Sequence, residues 1–259
     1  MAKKWTEEET LLALSLYLQT PFGKIHSSNP DILALAHALD RTPASVGMKM
    51  LNLAGLNPKI LSSGRVGLQN YSKLDESVWT RFSSDWFILA EQTEKISLLI
   101  QKHESTSALR EPKQDFKLRD PNANTTAQAF VEQRRGQDFF RKAVMANYQD
   151  RCCISGIAEP RLLVASHIIP WKDDIANRLN PENGLALSAT LDKAFDKGLL
   201  TINRNLEVKI SKVLLKHSNA ETRGYFEPYH ERRMAEPDRF NPKPEFIDWH
   251  NDFFEKQAA

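Results

Sequence analysis

Three short stretches of this 259-residue chain carry the residue types from which hydrolytic chemistry can be built. The first, Ala165-Ser166-His167-Ile168-Ile169-Pro170-Trp171, holds a histidine. The second, Asn183-Gly184-Leu185-Ala186-Leu187, holds an asparagine, and the third, Asp192-Lys193-Ala194-Phe195-Asp196-Lys197-Gly198, holds two aspartates. An imidazole that titrates near ~6.5 is largely neutral at neutral pH and can take a proton from water. Asp192 and Asp196 stand four residues apart, so a helix would put them on one face, where two carboxylates repel unless water or a cation separates them. They either hold a hard divalent cation together, or Asp196 bonds local backbone near the helix end and Asp192 stands in water. Asn183 is either a turn residue before Gly184 or a side chain whose amide orients the loop of His167. A base, a group that aims it and ligands for a cation are the parts from which phosphodiester hydrolysis can be assembled.

Other chemistries find little support. The chain has no Gly-rich phosphate loop, no G-x-S-x-G elbow and no H-E-x-x-H pair. Cys152 and Cys153 are the only cysteines and are adjacent, which strains a disulfide and rules out a four-cysteine zinc site. Cys153 as a nucleophile has no recognisable partner pattern, and His250 beside Trp249 reads as structural. Thirty-five Lys and Arg against 33 Asp and Glu leave a net charge of +2, which neither announces nor excludes a nucleic-acid binder. No apolar run approaches the roughly 20 residues of a membrane span, and the N-terminus lacks a signal-peptide core. A cytoplasmic protein with no membrane partner is expected.

The elements that would position these residues fall into two parts. Residues 1–103 are expected to be a helical domain. Thr6 with Glu9 forms a capping box, and Asn29-Pro30 and Thr42-Pro43 each place a cap before a proline at the first helical position. Gly55 is expected to end the third helix. The connection Asp40-Arg41-Thr42-Pro43 gives the second and third helices a helix-turn-helix character. Its third helix would present Ser45, Lys49 and Asn52 outward with Arg41 at its start, types suited to phosphate and base contacts; a plain three-helix packing module is the alternative. Asp75 is the expected cap of a further helix, and 85–103 is expected to form another helix. Residues 104–128 are polar and read as a linker. Residues 129–259 form the second domain. It opens with a helix over 130–148, whose polar face carries Arg134, Arg135 and Arg141, followed by a β-hairpin pairing 152–155 with 162–167 around Gly156. A short strand over 185–187, a helix over 189–197 ended by Gly198, a hairpin around Asn203-Arg204-Asn205 and a terminal helix from Glu245 complete it.

Taken in order, Cys152-Cys153-Ile154-Ser155-Gly156, Ala165 to Trp171, Asn183 to Leu187 and Asp192 to Leu200 resemble the HNH family of ββα-metal endonucleases. The resemblance covers about 134–202, and the N-terminal helices are similar to a module that precedes such domains in restriction enzymes. It implies an α+β protein: an N-terminal helical, helix-turn-helix-like domain and a C-terminal ββα-metal nuclease domain. By this resemblance His167 is the general base and Asn183 the central asparagine, while Asp192 and Asp196 are metal ligands. Arg134, Arg135, Arg141, Arg41 and Lys49 would contact double-stranded DNA, in restriction or defence against foreign DNA. A homodimer is compatible with it, because one such site cuts one strand at a time. The chain departs from the pattern at Ser166, where Asp or His often binds metal, and at Asp192, where the third motif residue is often His or Asn. More oxygen in the donor set favours Mg²⁺ or Mn²⁺ over Zn²⁺. The same departures leave open a DNA-binding protein whose nuclease domain no longer cuts.

Overall fold

The computed structural model describes residues 3–64, 70–107 and 124–258, with the side chains of 97, 100–107, 124–135 and 258 outside that description. The chain is α+β and divides into two compact units, Met1–Phe139 and Phe140–Ala259. Most of the expected linker, 108–123, lies outside the described residues.

The first unit is helical. It contains α1 (Glu7–Gln19), α2 (Pro30–Ala38), α3 (Pro43–Ala54), α4 (Pro58–Ser62), α5 (Lys73–Phe82) and α6 (Trp86–Ser107). The starts of the first three follow local chemistry. Thr6 and Glu9 close a reciprocal capping box, Asn29 Oδ1 accepts from the Asp31 N–H, and Thr42 Oγ1 accepts from the Ser45 N–H. Asp75 does not cap α5; Ser72 does, with Asp75 as the third residue of a second capping box. Helix α1 is buried from Glu9 to Leu18 and packs against α3, α5 and α6. A helix enclosed on several sides must satisfy its polar groups internally, and Ser15 Oγ does so by donating to the Leu89 carbonyl at 2.9 Å.

Helices α2 and α3 keep the expected order and tight connection, but two basic residues assigned to DNA turn inward. The Arg41 guanidinium, with its side chain 5% exposed, bonds Glu9 Oε2 at 2.7 Å and the carbonyls of Lys3 and Lys4, and it lies over the Trp5 ring. Burial alone would raise the Glu9 pKa, yet Arg41, the Thr6 N–H and Lys3 together hold that carboxyl well below its ordinary value. Lys49 Nζ meets Asp75 Oδ1 at 2.5 Å in a pair buried between α3 and α5. The physical reason is periodicity. Val46, Lys49, Met50 and Leu53 share one stripe of α3, and its other three members are fully buried.

The second unit begins within α7 (Asn124–Asn147) and continues through β1 (Leu163–His167), β2 (Gly184–Ser188) and α8 (Ala189–Asp196). The hairpin β3 (Leu200–Ile202) and β4 (Val208–Ile210) follows, then α9 (Lys212–Lys216), α10 (Ala220–Phe226) and α11 (Pro244–Ala258). Strand β1 pairs antiparallel with β2 in the register Leu163↔Ser188 to His167↔Gly184, not with residues 152–155 as expected. The 152–157 segment closes a turn on itself: the Cys152 N–H donates to the Ile157 carbonyl and the Gly156 N–H to Cys152, with Gly156 at φ 78°. Its outward backbone then ties it to β2 through Cys153 N–H to Ala186 O at 2.8 Å. Both cysteines are buried and free, and burial pushes the Cys153 thiol pKa up, so it is not an activated nucleophile.

The core gathers Phe140 and Val144 of α7, Leu185 and Leu187 of β2, Leu191 and Phe195 of α8, and Ile202 of β3. Gly184 marks the closest approach. A Cβ there would stand 2.3 Å from Val144 Cγ2 and 2.9 Å from Phe140 Cζ. Gly184→Ala is therefore expected to lose about 1–3 kcal/mol by overpacking, measurable as a lowered urea midpoint at unchanged slope. Gly198, at φ 63°, ends α8 in a conformation that favours glycine.

Candidate active site

His167 is the last residue of β1, so the pairing with β2 fixes its backbone directly opposite Gly184. Three contacts fix its ring. It stacks on Phe140 at 3.8 Å between centroids and 7° between planes, it meets the edge of Trp171, and its Nε2 lies 3.0 Å from the Arg178 carbonyl. A carbonyl only accepts, so Nε2 carries the proton and Nδ1 holds the lone pair. Burial pulls the His167 pKa below its ordinary value and the Arg178 carbonyl partly restores it. The imidazole is thus neutral and basic at Nδ1.

The loop between β1 and β2 is braced from inside. Asn183, 1% exposed, accepts the Ile169 N–H at Oδ1 (2.8 Å) and donates from Nδ2 to the Ile169 carbonyl (3.1 Å). Its own carbonyl accepts the Ile168 N–H. Asn183 therefore clamps the two residues that follow His167, Ile169 through its side-chain amide and Ile168 through its main-chain carbonyl. Further along, Arg178 Nε donates to the Trp171 carbonyl and its guanidinium sits over the Trp171 ring, which sets the carbonyl that receives His167. Trp171 and Arg178 are positioning residues that sequence reasoning passed over. An Arg seven residues beyond a Trp in a loop carries no periodic signal.

Helix α8 crosses both strands and brings its acids to the same region. Burial raises the Asp192 pKa, opposed by the Ser166 hydroxyl and Lys193. Asp196 is raised by burial and then by the charge of Asp192, opposed by Lys193 and Lys197. Ser166 is 3% exposed, and beyond the neighbouring Asp192 carboxyl its hydroxyl has nothing to pair with. Two repelling carboxylates, one of them beside the Ser166 hydroxyl, are oxygen donors of the kind a hard divalent cation takes. Among the described residues no three His, Cys, Asp or Glu side chains come together as a metal-ligand group.

His167 and Asp196 line one cleft of about 440 Å³. Lys172, Lys193 and Lys197 stand around it, and sequence reasoning gave none of them a role. The arginines expected to bind DNA divide. Arg141 donates to the carbonyls of Leu163 and Pro160, bracing the start of β1 against α7, so its guanidinium is engaged within the protein. The side chains of Arg134 and Arg135 lie outside the described residues.

His250, itself buried, is also part of the wall of the His167 cleft. It stacks on Phe195 at 3.6 Å, with Nδ1 2.8 Å from Thr201 Oγ1 and Nε2 on the Phe195 carbonyl. Burial lowers its pKa from 6.5 to about 4, opposed by the Phe195 carbonyl. The folded state thus binds this proton less readily than the unfolded chain. The stability that neutral His250 contributes is complete above 6.5 and is lost as pH falls from there towards about 4. Chemical unfolding across that range should show His250→Phe with a shallower acid dependence than wild type.

No characterised protein matches the chain at a significant level. No helix among the described residues is long and apolar enough to cross a membrane. Residues 152–203 match the family model described as HNH endonuclease, which spans β1, β2, α8 and β3. Nucleases of this kind act on nucleic acids as phosphodiester hydrolases and generally use divalent metal ions. The segment 152–203 thus carries an HNH endonuclease-type domain.

Proposed function

We propose that this protein is a metal-dependent endonuclease of double-stranded DNA. In this reading His167 is the general base, Asn183 holds the loop of that base, and Asp192 and Asp196 are the ligands of Mg²⁺ or Mn²⁺. The observation that carries the reading is the state of His167: a neutral imidazole, locked by Phe140 and the Arg178 carbonyl, in a cleft with two carboxylates, Asp173 and Asp196, and three lysines. Nδ1 takes the proton of the attacking water. The Nε2–H bond to Arg178 O strengthens as the ring becomes cationic, which stabilises the charged state at the moment it forms. Lys172, Lys193 and Lys197 neutralise the phosphate. Asp192 and Asp196 would hold the cation, which when bound would supply polarisation of the phosphate and stabilisation of the leaving 3′ oxygen. Ends carrying 5′-phosphate and 3′-hydroxyl follow by family analogy.

Arg134 and Arg135 are assigned to flanking phosphates. A role in restriction or defence in the cytoplasm, and a homodimer that would cut both strands, rest on the likeness of the N-terminal helices to modules of restriction enzymes. A second reading, a DNA-binding protein with a silent nuclease domain, is favoured by Ser166 standing where a ligand is common. Plasmid nicking with Mg²⁺ or Mn²⁺, beside Mn²⁺ calorimetry, separates them. The endonuclease reading expects nicking that needs metal, and Mn²⁺ binding lost in Asp192→Asn. Plasmid binding with neither nicking nor Mn²⁺ uptake would establish the second.

The lysines give an independent check. Replacing Lys172, Lys193 and Lys197 by Gln should flatten the slope of log K against log salt for duplex binding by about 0.9 for each phosphate no longer neutralised. Fluorescence anisotropy over a salt series measures it, and an unchanged slope would remove the lysines from the interface.

A further inference from the structure

The second unit holds another concave site that shares no residue with the His167 cleft. It is a cavity of about 620 Å³ formed by the β3–β4 hairpin, α9 and the end of α11. That volume lies in the range of small-molecule pockets. Val208, Ile210, Leu215 and Phe254 give it apolar walls, while Lys209, Lys212 and Lys216 are exposed along it. None of these lysines forms an ion pair with a carboxylate of the described residues.

Two further groups point to a polar ligand. Ser211 is 3% exposed and its hydroxyl has no partner. A buried hydroxyl without a hydrogen bond is costly, and a ligand oxygen would remove that cost. His230 accepts the Ile210 N–H at Nδ1 (3.2 Å), so its proton sits on Nε2, leaving a neutral donor on the same wall.

We infer that this cavity binds a nucleotide, its phosphate held by Lys209, Lys212 and Lys216 and its base packed on the apolar wall that includes Phe254. Three ammonium groups and two neutral donors suit a phosphate, and an aromatic ring suits the flat face of a base. A bare inorganic anion would have no use for the apolar walls. Glu207 and Glu231 also line the cavity; their carboxylates set the phosphate toward the lysines and can accept from a sugar hydroxyl. The inference does not depend on cleavage at His167 and stands if that site proves silent.

Calorimetric titration of the full-length protein with deoxyadenosine 5′-monophosphate, deoxyadenosine and inorganic phosphate tests it. The mononucleotide should bind more tightly than either fragment. Lys209→Gln/Lys212→Gln/Lys216→Gln should weaken it by at least about tenfold, without lowering the melting temperature, because all three side chains are exposed. Phe254→Ala should weaken the mononucleotide but not inorganic phosphate, and His167→Ala should bind as wild type does. Displacement by a short single-stranded oligonucleotide identifies the ligand as a nucleotide within a strand; failure to displace identifies a free nucleotide. Absence of mononucleotide binding, or equal affinity in the triple variant, overturns the inference.

Discussion

Replacing His167 with Ala should lower kcat/KM for plasmid nicking by roughly 10²–10⁴-fold, the range associated with a positioned general base. Two contacts make the ring a base of fixed direction. Nε2 is occupied by the Arg178 carbonyl, so only Nδ1 can receive a proton, and Phe140 keeps the ring plane from turning. The pH profile adds a second readout. Only the neutral imidazole accepts a proton, so activity must fall as pH drops through the His167 pKa. Because burial sets that pKa below 6.5, the acid limb should lie below 6.5, at lower pH than a solvated histidine would give. In His167→Ala the limb should vanish, and free imidazole should restore part of the rate. Melting temperatures and duplex affinity measured in parallel identify the loss as chemical. Wild-type rates in His167→Ala would end the assignment.

How far such a site can be read from sequence depends on the range of its interactions. The capping signals at Thr6, Asn29 and Thr42 act within one helical turn, and each one starts a helix. Asn57-Pro58 carries the same signal and starts α4, whose five residues are too few to show any periodicity. His167 and Asn183 can be singled out because motif and spacing coincide. The bond between His167 and the Arg178 carbonyl cannot, since backbone groups leave no trace in residue type. Strand pairing is hidden for a similar reason. The segments 152–155 and 184–188 are both apolar enough to pair with β1, and proximity in the chain favours the nearer one. The turn that Cys152 to Ile157 closes on itself removes the nearer segment, and the 16 residues between β1 and β2 then fold into the loop that carries the site.

Lys49 shows the opposite case, in which a readable apolar stripe is masked by the charge of one residue, and its consequence is large. Asp75→Ala should cost about 3–5 kcal/mol, because it leaves the Lys49 ammonium buried without its partner. Asp75 also accepts the Ser72 N–H at 2.8 Å, so part of that loss belongs to the start of α5 rather than to the ion pair. The double variant Lys49→Met/Asp75→Asn separates the two: Met keeps the apolar stem, and Asn retains an oxygen for Ser72 while neither group is charged. Urea unfolding should therefore recover more than half of the stability that Asp75→Ala removes. A side chain only 6% exposed and 2.5 Å from a carboxylate cannot also reach a DNA phosphate. Duplex affinity and its salt dependence should consequently be the same in the double variant as in wild type. A reduced salt slope there would return Lys49 to the interface and require α3 and α5 to separate when DNA binds.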